Sequence, residues 1–485
     1  MFSEDYKIKE NEYFVYVFNK NLTESPDKLL LNLENERGKT FSYTRNQFDD
    51  VSRHFYKYLE DNGVSKDDTV GLIFDNRFKL VVSILTCIRF GITFTIIGKD
   101  TPLKRSIYQI NDSNSSYIIT DMKLEDDLIN TVYDIIDYNK AIKYCKKQDQ
   151  LPKLNLDDVA CISYTSGTTG NPKGVGITHG AITNASINHA KIRASENDNQ
   201  IIAGLSAKET FVVFLYTLFY EVYMGYIINI TNNDESMNPT QFHSFLMKNK
   251  IEDTFFPPTM VDYYLNNVDN PFLKNIYTGG DKVKLTKLSG AVNVIVLYGL
   301  TESFAAITYY KIDSLDKPSC IGKPFINTQL YVLDNDYNEC EKNQVGQIAL
   351  SGIQISNFSL NNNETEEHFI DNPYFDENND EEYYRSLFLT GDYGYIGDDD
   401  NLYFVSREDN QIQIRGQRVE INEITNVLDN IGVSNSYVLA KQDSNDNHYL
   451  ICFYVSDTLN ENEIRNILNN ELVDYMVPSF IIKLD

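Results

Sequence analysis

The sequence predicts an α/β fold: a large N-terminal domain built on mixed or parallel sheets, followed by a small, mobile α+β C-terminal subdomain. Three observations predict it. Short apolar runs alternate with amphipathic segments through most of the 485 residues, the pattern of strands and helices layered in one domain. That length exceeds what one compact core organises. Near the C-terminus the polar stretch Ser406–Gln411 leads into a new set of strand and helix patterns, which divides the chain into residues 1–408 and 409–485.

Each element has a local reason. Thr69–Phe74 and Tyr117–Thr120 are short apolar runs that read as buried strands, and Val159–Tyr164 is another. Arg45–Asn62 and Arg77–Phe90 carry apolar residues near helical spacing. Thr44 is placed to cap the first helix and Gly63 to stop it. Lys146–Asp158 is mostly polar, and Asn361–Glu382 is rich in Asn, Asp and Glu; both read as exposed loops. There is no internal repeat and no Pro-rich or Gly/Ser-rich linker.

Hydrophobic residues make up 42% of the chain and charged residues 23%, as in an ordinary globular protein. With 70 acidic against 43 basic residues the formal net charge is −27, a field that repels nucleic acid and anionic membrane. It does not oppose ATP, because one loop can carry local positive potential. Six cysteines, Cys87, Cys145, Cys161, Cys320, Cys340 and Cys452, lack CxxC spacing and read as reduced thiols rather than a disulfide framework or zinc site. Met1–Asp5 shows no basic start before an apolar run, so no signal peptide is expected. The most apolar stretch, around Thr210–Ile230, is broken by Glu221, so no membrane span is expected. A cytoplasmic location follows.

The strongest chemical signal is Tyr164-Thr165-Ser166-Gly167-Thr168-Thr169-Gly170-Asn171-Pro172-Lys173-Gly174-Val175 behind an apolar strand. Glycines let backbone N–H groups turn toward an anion, hydroxyls add donors and Lys173 adds a charge, so the loop is suited to cradle phosphate. It is not a GxxxxGK[ST] loop, because Pro172 precedes the lysine and Gly174 follows it.

This loop resembles the signature of the adenylate-forming (AMP-binding) superfamily, and further matches in the family's order extend the resemblance from about Phe41 to Asp485. The family holds acyl-CoA synthetases, firefly-type luciferases and the adenylation domains of nonribosomal peptide synthetases; Gly352–Pro373 is most similar to the last. The resemblance implies ATP-dependent activation of a carboxylic acid as an acyl-adenylate, with Mg²⁺, and transfer to a phosphopantetheine thiol on a carrier protein. In its terms Thr165, Ser166, Gly167, Thr168, Thr169, Gly170 and Lys173 hold the β,γ-phosphates. Tyr298-Gly299-Leu300-Thr301-Glu302 resembles the next motif: Tyr298 packs on adenine, Thr301 contacts phosphate and Glu302 holds Mg²⁺, one aromatic face, one hydroxyl and one hard oxygen ligand. Gly279, Gly280 and Asp281 look like the adenine-side turn. Asp392 matches the aspartate that binds the ribose hydroxyls, and Arg407 the arginine of the ribose–phosphate region. Lys173, Thr301, Glu302 and Arg407 are the implied catalytic set, and Asp409 the implied hinge on which the small subdomain rotates between two half-reactions.

Three departures bear on this. The family's terminal lysine, which stabilises the attacking carboxylate and α-phosphate, lies beyond a segment like Tyr475-Met476-Val477-Pro478, and the sequence stops at Asp485 before it. Either the chain is a piece of a longer one or it adenylates slowly, by about a hundredfold or more if that stabilisation is missing. Second, the aspartate that pairs with an α-ammonium falls at Val212 or Thr210, neither an acid. Unless Glu209 replaces it, a buried ammonium has no counter-charge, and the expected acid lacks an α-amino group: aryl, keto, hydroxy or fatty. By the same alignment Val212, Val213, Tyr216, Phe255, Tyr277, Gly279, Leu297, Ala305 and Ala306 line an apolar acyl pocket. Third, Gln413 stands where the peptide-synthetase branch has lysine. The alternatives are an acyl-CoA ligase and a non-catalytic nucleotide-binding module.

Overall fold

The structure is a computed structural model that describes residues 4–35, 37–132, 134–165, 172–193, 201–232, 238–356, 368–407, 412–414, 417–433, 435–442, 448–456 and 458–484. Its largest sheet, of 14 strands, runs from Thr328–Leu333 at one end to Thr40–Thr44 at the other. The central strands are parallel: Leu29–Glu34, Ile227–Ile230, Ile202–Leu205, Asp253–Phe255, Asn275–Gly279 and Asn293–Tyr298 pair side by side in that order. Beyond Asn293–Tyr298 the sheet continues antiparallel through Thr308–Lys311, Cys320–Pro324, Leu402–Arg407 and Ser386–Ile396. A second sheet of 6 strands contains Thr69–Ile73, Ser115–Thr120 and Val159–Thr165 and is parallel except where Val159–Thr165 turns back into Lys173–Thr178. The molecule is therefore α/β with mixed sheets.

Parallel strands need crossover connections, which bury both faces of the sheet under helices. Two helices show it in their composition. In Arg77–Phe90 every residue except Lys79 is buried, and Val212–Met224 is buried from Phe214 to Val222. Each ends on a glycine in the left-handed region, Gly91 (φ +70°) and Gly225 (φ +72°), where a Cβ would be strained. The helix Arg45–Asp61 begins with a reciprocal cap: Thr44 Oγ1 accepts from the Gln47 N–H while Gln47 Oε1 accepts from the Thr44 N–H. The segment 146–158 has no helix or strand, and Arg53 ties it down by donating to the carbonyls of Gln148 and Asp149.

The C-terminal unit is α+β: the hairpin Ile412–Ile414 and Gln417–Val419, the helices Ile421–Asn430 and Glu461–Glu471, and a sheet of Ser436–Gln442, His448–Tyr454 and Phe480–Lys483. Its core, which includes Val419, Ile424, Leu428, Ile464 and Met476, shares no residue with the main core of the large sheets. Asp409 lies outside the described residues. Among the described residues no helix is long and apolar enough to cross a membrane, and the six cysteines form no disulfide.

Candidate active site

The carboxyl ends of the parallel strands converge on one cavity of about 1090 Å³, whose wall includes Ser206, Phe255, Gly279 and Tyr298. This is where open α/β sheets bind ligands, because the strands end and the connecting loops splay apart there. The packing at this edge is tight enough to dictate glycine. A Cβ on Gly279 would stand 2.1 Å from the Leu297 carbonyl oxygen, and one on Gly299 would stand 2.7 Å from that of Ala305. Next to it Phe304 and Ala305 both hold positive φ, 51° and 67°, an uncommon backbone for residues with a Cβ that concentrates at functional sites. Gly280, at φ +88°, turns the chain into the wall at Asp281.

At one end of the cavity Tyr298, Asp392 and Arg407 form a connected group. The Tyr298 hydroxyl donates to Asp392 Oδ2 at 2.8 Å, and Arg407 Nη1 lies 3.0 Å from Asp392 Oδ1. The 15-residue gap between Asp392 and Arg407 has a simple origin: they are cross-strand partners of the antiparallel pair Ser386–Ile396 and Leu402–Arg407. Burial, and then the neighbouring Asp392 carboxylate, push the Tyr298 phenol well above its ordinary pKa, so it stays neutral and offers a donor and a ring face. Thr165, Gly279, Gly280, Asp281 and Thr301 lie on the same cavity wall.

A second pair sits beside the wall. Lys173 opens the strand Lys173–Thr178, Glu302 lies in the turn Thr301–Ser303, and Lys173 Nζ is 3.5 Å from Glu302 Oε1 with both side chains buried. Between Thr165 and Pro172 the phosphate-loop residues Ser166, Gly167, Thr168, Thr169 and Gly170 fall outside the described residues, as do Arg415, Gly416 and the side chain of Gln413. Among the described residues no group of three or more His, Cys, Asp or Glu side chains could hold a metal by itself. One buried carboxylate fits Mg²⁺ none the less, since that ion is commonly held by one or two carboxylates, substrate phosphates and water.

The other end of the cavity is apolar. Val212, Val213, Tyr216, Phe255, Gly279, Leu297, Ala305 and Ala306 line it. Tyr277 does not: it is fully buried behind Tyr216. It shares a strand face with Gly279 two residues on but lies deeper, where His189 packs against both tyrosines at 4.6 Å from Tyr277 and 6.1 Å from Tyr216. Behind this floor His189 also stacks on Tyr220 at 3.4 Å, and burial holds its imidazole well below its ordinary pKa and so neutral.

Sequence reasoning missed the partner of Glu209. Glu209 Oε2 lies 3.5 Å from Arg77 Nε, both almost fully buried, and the guanidinium also donates to the Ala207 carbonyl and to Thr231. An arginine opening a largely apolar, buried helix was the available signal, since such a charge must find a partner inside.

The family model for AMP-binding enzymes matches residues 18–358. The chain belongs to the AMP-binding enzyme family. Members of it are acid-adenylating ligases. The chain is 28% identical over 475 residues to bacitracin synthase 1 of Bacillus licheniformis and spans 97% of itself but 9% of that relative. It spans 12% of tyrocidine synthase 2 of Brevibacillus parabrevis, also at 28% identity, with 88% of itself covered. The curated relatives are thus several times longer than the part that matches. Among solved structures, NpsA-ThdA, an artificially fused adenylation–PCP di-domain from Klebsiella oxytoca, superposes with a TM-score of 0.83 at 19% identity, covering 98% of this chain and 94% of that one. A double mutant of o-succinylbenzoate CoA synthetase from Bacillus subtilis with a product analogue gives 0.82 at 20% identity, covering 97% and 94%. The same enzyme with ATP and magnesium gives 0.70 at 21%, covering 97% and 95%.

Proposed function

We propose that this AMP-binding enzyme activates an uncharged-tail carboxylic acid without an α-amino group as its acyl-adenylate, using ATP and Mg²⁺, and passes the acyl group to a phosphopantetheine thiol of a carrier protein. The reading rests on one observation: the cavity joins a polar nucleotide end to an apolar acyl end, and Glu209, which lines it, already faces Arg77. In this reading Tyr298, Asp392 and Arg407 receive the nucleoside, with Gly279, Gly280 and Asp281 at the adenine side. Lys173, Thr301 and the loop from Thr165 through Ser166, Gly167, Thr168, Thr169 and Gly170 receive the phosphates. Bound Mg²⁺ would neutralise phosphate charge, with Glu302 as its protein ligand and Lys173 beside it. The acid lies along Val212, Val213 and Tyr216 with its carboxylate toward the α-phosphorus, attacks it and releases pyrophosphate.

Loss of the ammonium partner supports this substrate class. An α-ammonium at Val212 would be stripped of water in an apolar wall, at a cost of several kcal/mol without a counter-charge. Glu209 faces Arg77, so the charge it could offer an ammonium is already shared with a guanidinium. The likeness to adenylation–PCP proteins supports a carrier-borne thiol; the likeness to a CoA synthetase supports free CoA as the second reading. The division of labour follows residues 1–408 for activation and 409–485 for the rotating unit, with Asp409 between them.

The test is ATP–pyrophosphate exchange across a panel of α-amino, α-keto, α-hydroxy, aryl and fatty acids. Exchange with one of the acids lacking an amino group supports the reading, and coenzyme A offered in the second step separates the two acceptors. Selection of an ordinary α-amino acid would overturn the substrate class. ATP binding with silence from every acid would leave a non-catalytic nucleotide module.

A further inference from the structure

The C-terminal unit is held against the large domain by a contact that is expensive to break. Arg105, on the helix Leu103–Asp112, donates through Nη1 to Oε1 of Glu423, on the helix Ile421–Asn430. The side chains are 8% and 1% exposed, so the pair is sealed. Glu423 Oε2 has no hydrogen-bond partner, which leaves Arg105 as the counter-charge for a carboxylate taken out of water. Separating such a pair leaves two desolvated charges unless the interface opens to solvent. Around it lie weaker contacts: the exposed Lys104–Glu471 pair, Tyr475 against Phe211 at 6.1 Å, and Lys208 over the Tyr475 ring at 6.0 Å. Phe211 immediately precedes the helix Val212–Met224, so the interface reaches the wall of the acyl pocket.

The side chains that the C-terminal unit sets into the cavity wall are His448, Val473, Asp474 and Tyr475. Among these described residues there is no lysine or arginine, and Asp474 is an acid. Of these four side chains Asp474 is the one that bears a full charge, and its carboxylate repels a triphosphate. This face is compatible with the acyl-adenylate, from which pyrophosphate has left.

We propose that the Arg105–Glu423 pair is the latch that holds the C-terminal unit in the arrangement for acyl transfer to the thiol, and that it must open for adenylation. The proposal rests on the acyl-activating reading above. Both are positioning residues: the thiolate attacks the acyl carbon, the carbon–oxygen bond to AMP breaks and AMP leaves without either residue touching the reacting atoms. Their contribution is to keep the unit seated while the thiol enters. The latch also makes the direction of switching electrostatic, since opening it exposes two charges to water whereas closing it must strip both.

The experiment compares the intact chain with Glu423→Gln and with the double exchange Arg105→Glu/Glu423→Arg. Three readouts are taken: ATP–pyrophosphate exchange, AMP release dependent on added coenzyme A or pantetheine, and hydrogen–deuterium exchange of the helices Leu103–Asp112 and Ile421–Asn430. Glu423→Gln should keep pyrophosphate exchange, cut thiol-dependent AMP release by about tenfold or more and lower amide protection in both helices. The double exchange should restore release and protection. Equal loss of both half-reactions, or protection unchanged in Glu423→Gln, would overturn the latch. Pyrophosphate exchange absent from the intact chain with every acid, together with protection that falls and is restored as stated, would instead overturn the activation reading and leave the pair as the lock of the interface.

Discussion

Glu221 stands in the middle of the apolar helix that forms the acyl wall, fully buried, with neither carboxylate oxygen hydrogen-bonded. Burial above all, and then the charge of Asp253, push its carboxyl well above the usual carboxylate range. The native state therefore holds this proton to higher pH than the unfolded chain does. Protons bound only by the native state make stability fall with rising pH: the contribution is complete below the unfolded pKa of about 4.3 and is lost as pH climbs toward the folded value. Glu221→Gln keeps the shape and the neutral charge in both states. The variant should gain melting temperature relative to the parent as pH rises from about 5 to 8, read by calorimetry across that range. A constant difference at all pH values would mean that the carboxyl is ionised in place. Sequence alone marked Glu221 only as an interruption of an apolar stretch. Its burial follows from the helix lying between sheet and helix, which no single residue announces.

At the scale of elements, on the proposed reading, the helix Val212–Met224 sets what the acyl pocket can hold. Its first turn offers Val212 and Val213, and Tyr216 closes the floor with His189, Tyr220 and Tyr277 stacked behind. Tyr216→Ala removes the floor and opens the cavity toward the His189 ring and the Tyr277 hydroxyl, which has no hydrogen-bond partner. The variant should accept acids longer by several carbons or carrying a terminal polar group, and should lose about 3–5 kcal/mol of stability from the vacated volume. Chain-length profiles in pyrophosphate exchange, with urea unfolding alongside, measure both; an unchanged profile would move the floor elsewhere. Much of this scale was legible in the sequence. Thr44, Gly63 and the apolar spacing gave the helix Arg45–Asp61 nearly to the residue, because caps and periodicity are local. Eight of the nine expected pocket residues line the cavity, Tyr277 being the exception. That failure is instructive: alternation along Asn275–Gly279 puts Tyr277 on the correct face, but its depth depends on how far Tyr216 reaches from another element. The Arg77–Glu209 pair spans more than a hundred residues and rests on the helix Arg77–Phe90, a crossover of the smaller sheet, packing against the strand Leu29–Glu34 of the larger one. Such a contact follows from topology rather than from local pattern.

For the whole molecule the charge distribution makes two opposed statements about ATP. The chain carries a formal −27, while the cavity wall holds eight lysines and arginines against five aspartates and glutamates. The distant acidic surface repels a polyanion, and the cavity attracts it. The two differ in reach. Added salt first screens charges farther away than a Debye length, about 30 Å at 0.01 M and about 10 Å at 0.1 M, whereas partly buried charges in contact with the ligand are screened only at higher concentration, where the length falls to about 3 Å at 1 M. The KM for ATP in pyrophosphate exchange should therefore fall as salt rises toward about 0.1 M and rise again toward 1 M. A steady rise from the lowest salt would mean that the acidic surface does not reach the cavity mouth and that binding is governed by the wall alone. A steady fall would mean that the cavity's lysines and arginines spend their charge on neighbouring carboxylates, as Arg77 does on Glu209 and Arg407 on Asp392, and that hydrogen bonds and the ring of Tyr298 carry the nucleotide instead.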